Sequence, residues 1–211
     1  MAKNGEKKIV STAVNKELLK KRQLQIVHAA GELFSKQGYH KTSMRDIAKV
    51  SGINLSYLYN FISSKEEILY LYYMNLYEKW ENIFVISDNY EDQNPVDQLK
   101  KIIRLFLKII HTYNDETLTM YTESRHLRKD LFKIVLSKEA KMVKLLEKLI
   151  RRGIERGFFK TKDPFMTANV IQYIVTIGPL RGWNFRHRYS FNRFVDLITD
   201  FVLGSLGVGE E

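Results

Sequence analysis

The stretch from Thr42 to Ile62, TSMRDIAKVSGINLSYLYNFI, constrains this chain more than any other. Its apolar residues recur at helical spacing, and a Ser51-Gly52 pair divides them. Met44, Ile47, Ala48 and Ile53 predict the inward side of a small core. Glycine at 52 admits the backbone that ends a helix. Asn54 then predicts an N-cap, its side chain bonding a free N–H of the next turn. The second helix carries Ser56, Tyr57, Tyr59 and Asn60 outward, with Leu58 and Ile62 turned inward. Two short helices about a glycine turn make a helix-turn-helix, whose second helix fits a DNA major groove. An ordinary helical hairpin has the same outline, so the neighbourhood decides between the two. A helix ending at Gly38 precedes the pair, and Lys65-Glu66-Glu67 opens another directly after it.

Charge points the same way. The net charge is +10, and residues 1–65 hold ten lysines and two arginines against Glu6, Glu17, Glu32 and Asp46, so +8 of it lies there. A basic first third on a nearly balanced body suits a polyanion-binding head. Without the helix-turn-helix the same charge would read as a solvated basic surface.

These residues resemble the TetR/AcrR family of bacterial transcriptional regulators. The resemblance runs from Ile26 to Leu69 through Ala29-Ala30, Leu33-Phe34, Gly38-Tyr39, Thr42-Ser43, Ile47-Ala48, Gly52-Ile53, Leu58-Tyr59 and Ser64-Lys65-Glu66-Glu67-Ile68-Leu69. Leu55, Ser56 and Tyr57 depart from it, standing where the family often has a Lys-Gly-Thr type triplet, and Phe61-Ile62 replaces the usual His-Phe or Tyr-Phe. The expected DNA contacts are Thr42, Ser43, Arg45, Asn54, Ser56, Tyr57, Tyr59, Asn60 and Lys65. Thr42 is expected on phosphate, and the resemblance implies the same for Lys65. The Tyr59 hydroxyl is also assigned to phosphate. Tyr57 and Asn60 are the expected base readers, since asparagine matches the paired donor and acceptor of adenine.

The rest of the chain reads as all-α. Residues 1–18 read as a flexible basic arm or a helix extension tied down on DNA, 19–64 as the head, and 65–211 as a helical effector-binding and dimerisation body. Leu24, Val27, Ala30, Gly31 and Phe34 give the first helix its face. Ser63 or Ser64 predicts the cap of a helix from about Lys65 to Phe84. The polar run Ser87–Asn94 predicts a loop, with Asn94 and Pro95 opening the next helix. Further helices are expected at about 116–125, 130–156, 164–183 and from Ser190 to the glycines at 204 and 207. Wide apolar stripes mark the last two (Met166, Ile171, Ile174, Val175, Ile177; Phe191, Phe194, Val195, Ile198, Phe201, Val202). The resemblance implies that they pair with their copies in a homodimer, and a two-fold dimer reads two half-sites of an operator.

Several function classes are disfavoured. The chain has no cysteine, which rules out disulfides and thiolate metal sites and fits a reducing cytoplasm. No apolar run has the length of a membrane span, and the basic N-terminus lacks a secretory core. Glu123-x-x-His126 has the spacing of a helical di-iron ligand pair, but no second copy exists. A helical ligand-binding or metal-dependent enzyme is therefore the alternative, with no cofactor, metal site or catalytic residue assigned. In the family the body encloses a small-molecule effector. The candidates are Tyr113, Tyr121, Glu123, Arg125 and His126, with Gln172, Tyr173 and Trp183. They suit a lipophilic effector with one anionic end, such as an acyl-coenzyme A.

Overall fold

A computed structural model describes residues 3–88 and 93–209. They are predominantly helical, with no strand among them. The chain divides into two compact units, one of residues 1–74 with 123–128, the other of residues 75–122 with 129–211.

The first unit contains α1 (Lys3–Gln37), α2 (Met44–Ser51), α3 (Leu55–Leu58) and the start of α4 (Lys65–Asp88), with a 3-10 turn at Ser124–His126. Helix α1 begins at Lys3 and runs unbroken to Gln37. Ile26, Ala30, Ile47, Leu58, Ile68 and Leu69 are sealed from solvent and form the centre of this unit. Each of these leucines and isoleucines contributes about 1.5–3 kcal/mol relative to exposure. Ser63 and Ser64 share the cap of α4. Glu67 N–H donates to Ser64 Oγ (3.1 Å), while the Glu67 carboxylate accepts from the Ser63 N–H (2.7 Å). α4 is continuous through Met74 into the second unit, so the division falls inside this helix and not at Lys65. It also runs to Asp88, further than expected; of the predicted polar loop, residues 89–92 lie outside the described residues.

The second unit adds α5 (Pro95–Thr112), α6 (Asn114–Glu123), α7 (Lys129–Glu155), α8 (Pro164–Val175), α9 (Ile177–Phe185) and α10 (Phe191–Ser205). Asn94 caps α5 with proline at its first position, and Asp163 does the same for α8. Leu99, Ile103, Phe106, Leu146, Ile150, Ile171 and Val202 bring α5, α7, α8 and α10 around one core. The helix expected over 164–183 is broken in two at Thr176. That hydroxyl donates to the Tyr173 carbonyl (2.7 Å), and Gly178-Pro179 follows, a pair that cannot sustain the regular ladder. Phe159 is buried against Gly153 of α7, where a side chain at 153 would have no room.

Candidate nucleic-acid interface

Ser43 starts α2 with a reciprocal cap. Its hydroxyl accepts from the Asp46 N–H (3.2 Å), and the Asp46 carboxylate accepts from the Ser43 N–H (2.9 Å) and hydroxyl (2.6 Å). These bonds hold the Asp46 carboxyl below the usual carboxylate range. Gly52 ends α2 at φ +68°, a left-handed conformation. Asn54 Oδ1 accepts from the Ser56 N–H (2.9 Å) and opens α3. Regular helix covers only Leu55–Leu58. Turn-type bonds from Asn60, Phe61 and Ile62 back to Tyr57 and Leu58 continue the coil, so the predicted span is present in a looser form.

Two glutamines of α1 secure this pair of helices. Gln25 Nε2 donates to the Ser51 carbonyl (2.7 Å), and Gln23 Nε2 donates to the Phe61 carbonyl (3.1 Å). Ser51 is the last residue of α2 and Phe61 lies in the turn after α3, so neither carbonyl has an intrahelical donor. Nothing in their sequence spacing marks these glutamines, because the partners lie 26 and 38 residues away.

The result is an outward face. Ser43, Arg45, Asn54, Ser56, Tyr57, Tyr59 and Asn60 are all exposed, with Tyr57 at 45% and Tyr59 at 49%. Tyr57 meets Phe61 edge-on (4.8 Å, 89°), which steadies its ring while leaving the hydroxyl in solvent. Exposed Lys41 and Lys49 flank the same helices. Two expected contacts are placed differently. Thr42 is 1% exposed, and its hydroxyl donates to the Gly38 carbonyl (2.9 Å). The Lys65 ammonium donates to the carbonyls of Tyr39 and Thr42 (2.8 Å each) and lies 4.2 Å from the Tyr39 ring centroid. Burial lowers its pKa. Both residues thus tie the loop between α1 and α2 to α4 through bonds made inside the unit.

The eight expected effector contacts do not share one unit. Glu123, Arg125 and His126 belong to the first, where His126 stacks on Tyr39 and lies 3.5 Å from the Glu123 carboxylate. No group of three or more His, Asp or Glu side chains is arranged to hold a metal among the described residues. Tyr113, Tyr121, Gln172, Tyr173 and Trp183 belong to the second unit. Tyr113 caps the end of α5 and is half-buried. Tyr173 is 63% exposed and Trp183 70% exposed, so both are surface residues. Burial and the nearby Glu139 raise the Tyr121 hydroxyl, against a hydrogen bond with Thr176. Gln172 is buried, and neither its amide nitrogen nor its oxygen has a partner among the described residues. A cavity of about 520 Å³ opens among α5, the start of α6, α8, α9 and α10, and none of the eight lines it.

The comparisons with known proteins accord with a DNA-binding head and a helical body. The family model for bacterial regulatory proteins of the tetR family matches residues 26–70, and that for the tetracyclin repressor-like C-terminal domain matches residues 92–176. The HTH-type transcriptional regulator HbdR of Aromatoleum sp. (strain CIB) is 25% identical over 93% of this chain and 85% of its own. A tetR-family regulatory protein from Rhodococcus RHA1 superimposes with a TM-score of 0.81 at 18% identity, over 90% of this chain and 99% of that one. AibR, solved in complex with isovaleryl coenzyme A and operator DNA, superimposes with a TM-score of 0.74 at 21% identity, over 88% of this chain and 97% of that one. The two structural likenesses show a shared fold.

Proposed function

Because this chain belongs to the TetR family of bacterial regulatory proteins, which are DNA-binding transcriptional regulators, we propose that it reads a palindromic operator as a homodimer, represses from it, and is released by a small effector, lipophilic or acyl-coenzyme A-like. The observation that carries the reading is the face made by Arg45, Ser56, Tyr57, Tyr59 and Asn60. All five side chains are exposed on helices whose opposite sides are buried through Ile47, Leu58 and Ile62. On this reading Tyr57 and Asn60 meet base edges, while Arg45 and the Tyr59 hydroxyl meet phosphate. Ser43 and Asn54 hold the two helix starts that face the backbone. Thr42 and Lys65 act through the loop they fix.

Dimerisation through the last helices has its own support. Phe165, Met166, Val170 and Tyr173 on α8, Trp183 on α9 and Phe201 on α10 are large and exposed, an unusual density for a surface with no partner. A two-fold pair joined there would present two heads to half-sites about 34 Å apart or a multiple of it. The effector reading is supported by the shared fold of AibR, solved with an acyl-coenzyme A and DNA together.

Selection of bound fragments from random DNA tests the whole proposal. A recovered inverted repeat, bound by two chains and released by a small molecule, is the expected outcome. A monomer that prefers no fragment over bulk competitor DNA would overturn it.

A further inference from the structure

We propose that the cavity among α5, the start of α6, α8, α9 and α10 binds a small amphiphilic carboxylate, its hydrocarbon body against the phenylalanines of the wall and its carboxylate on Arg186. For binding itself the proposal stands on the cavity. It rests on the ligand-responsive reading above only for its regulatory consequence.

The shape comes first. At about 520 Å³ the space lies within the range of pockets that enclose small organic ligands. Leu107, Ile110, Val175, Phe185, Phe191 and Phe194 supply an apolar wall. Glycines make the room. A Cβ at Gly178 would stand 3.8 Å from the Phe194 ring, in ordinary contact, so any longer side chain there would enter the space.

The chemistry follows from what lies on the rim. Arg186 lines the cavity and folds back over Gly182, its Nε 3.1 Å from where a Cβ would sit. Its guanidinium has no ion-pair or hydrogen-bond partner among the described residues. Residues 177–190 hold Arg181, Arg186, His187 and Arg188 and no acidic residue, so the local potential favours an anion. Asp115 is the one carboxylate in the lining, and it accepts from the Asn114 amide (2.9 Å). His111 lies flat on Phe191 (4.1 Å, 20°), which extends the wall with a ring that also carries a donor. Gln172 stands three residues before Val175 on the same helix side, and its buried amide has no partner to lose. A guanidinium at the mouth of an aromatic pocket selects a planar carboxylate bound through two parallel N–H donors.

Octanoate, octanol and octylamine share one hydrocarbon body and differ in head group, so calorimetry of the full chain without DNA separates the terms. Octanoate is expected to bind, octanol about tenfold more weakly through loss of the charged hydrogen bonds, and octylamine more weakly still. Arg186→Gln should bring octanoate down to octanol and leave octanol unchanged. Gly178→Leu should abolish binding of both while circular dichroism and melting stay as in the parent chain. Equal binding of the amine, an acid preference that survives Arg186→Gln, or octanoate binding that survives Gly178→Leu would each overturn the proposal. So would an octanoate affinity that falls as the protein is concentrated, because a second copy would then be filling the cavity. A chain that binds octanoate but selects no operator refutes only the regulator reading. One that selects an operator and ignores all three probes refutes only the cavity.

Discussion

The imidazole of His126 lies flat on the ring of Tyr39, with 5.1 Å between centroids and 6° between planes. His40 meets the same imidazole edge-on at 4.1 Å. Burial and the charges of Glu66 and Glu123 push the Tyr39 hydroxyl up to about 12. The 3-10 turn that carries His126 is thereby held to the loop between α1 and α2 by ring contacts, from nearly 90 residues away in sequence.

This stack makes stability depend on pH. Burial, then His40, Arg125 and Lys65, hold the His126 pKa below its ordinary 6.5, against the pull of Glu123. A lowered folded pKa means that the unfolded chain takes up the proton first. Stability contributed by the neutral stack is complete above the unfolded value and is lost as pH falls towards the folded one. Melting temperature should therefore drop between about pH 7.5 and about pH 5.5. His126→Phe keeps a flat ring and removes the proton site, so its drop should be shallower. Parallel curves for the two proteins would assign the effect elsewhere.

Gly52→Ala tests the turn of the helix pair. The φ of +68° at this position places a side chain against its own carbonyl, although no neighbour stands within 4 Å. A loss of about 1–2 kcal/mol is expected in urea unfolding, from backbone strain alone. Binding to DNA should weaken only as far as the fold does.

Glu139 offers the opposite sign. Its side chain is half-buried in the second unit, its carboxyl accepts from the Tyr77 hydroxyl at 3.3 Å, and burial raises that carboxyl above the usual range. A raised folded pKa makes the charged carboxylate a cost that grows as pH rises above the unfolded value. Glu139→Gln retains an acceptor for Tyr77 and removes that cost. It should melt higher than the parent chain at neutral pH, and the gain should disappear in acid. A variant no more stable at pH 7 would show that the carboxylate is better solvated than its burial implies.

The outward face separates into roles under salt titration. Arg45→Ala should lower affinity for every duplex and reduce the slope of log affinity against log salt by about one, as loss of a single phosphate contact does. Asn60→Ala should leave the slope unchanged and relax preference at one base pair, at a cost of about 1–3 kcal/mol on the best site. Equal losses on all sites for both variants would remove the distinction.

Trp183→Glu places a charge in the exposed apolar surface of the last helices, where 70% of the indole already meets solvent. A lone chain should tolerate it with little change in melting. A dimer joined at that surface should dissociate, measured by light scattering at micromolar concentration, and operator affinity should fall with it. An unchanged mass would move the interface away from α9.

Much of the head is legible along the chain. Ser43, Gly52 and Asn54 mark the limits of α2 and α3 by chemistry that acts within four residues. Leu58 and Ile62 turn inward as their spacing requires. Lys65 and Thr42 are legible as residues but not as roles. The loop at Tyr39 folds back to take the Lys65 ammonium on the carbonyls of Tyr39 and Thr42, a pairing that no local pattern announces. The body is harder to read. Met166 and Phe201 belong to stripes that look like core in one dimension, and they face solvent. The cavity escapes a linear reading because its lining comes from five helices and from glycines, which leave space without leaving a pattern.

The amino-acid order alone determined an all-helical chain, a helix-turn-helix near its start, the charge that accompanies it and the family it resembles. Hydrophobic period, caps and glycine conformations all act within a turn or two of the backbone, so they can be read along a line. Only the tertiary structure decided which polar groups were already spent, as with Gln25 on Ser51, and which apolar faces were left uncovered, as at Phe201. Those outcomes depend on which distant segment arrives to meet each side chain. Hydrogen bonds and dispersion reach only a few ångströms, so that meeting is settled in space and not in sequence.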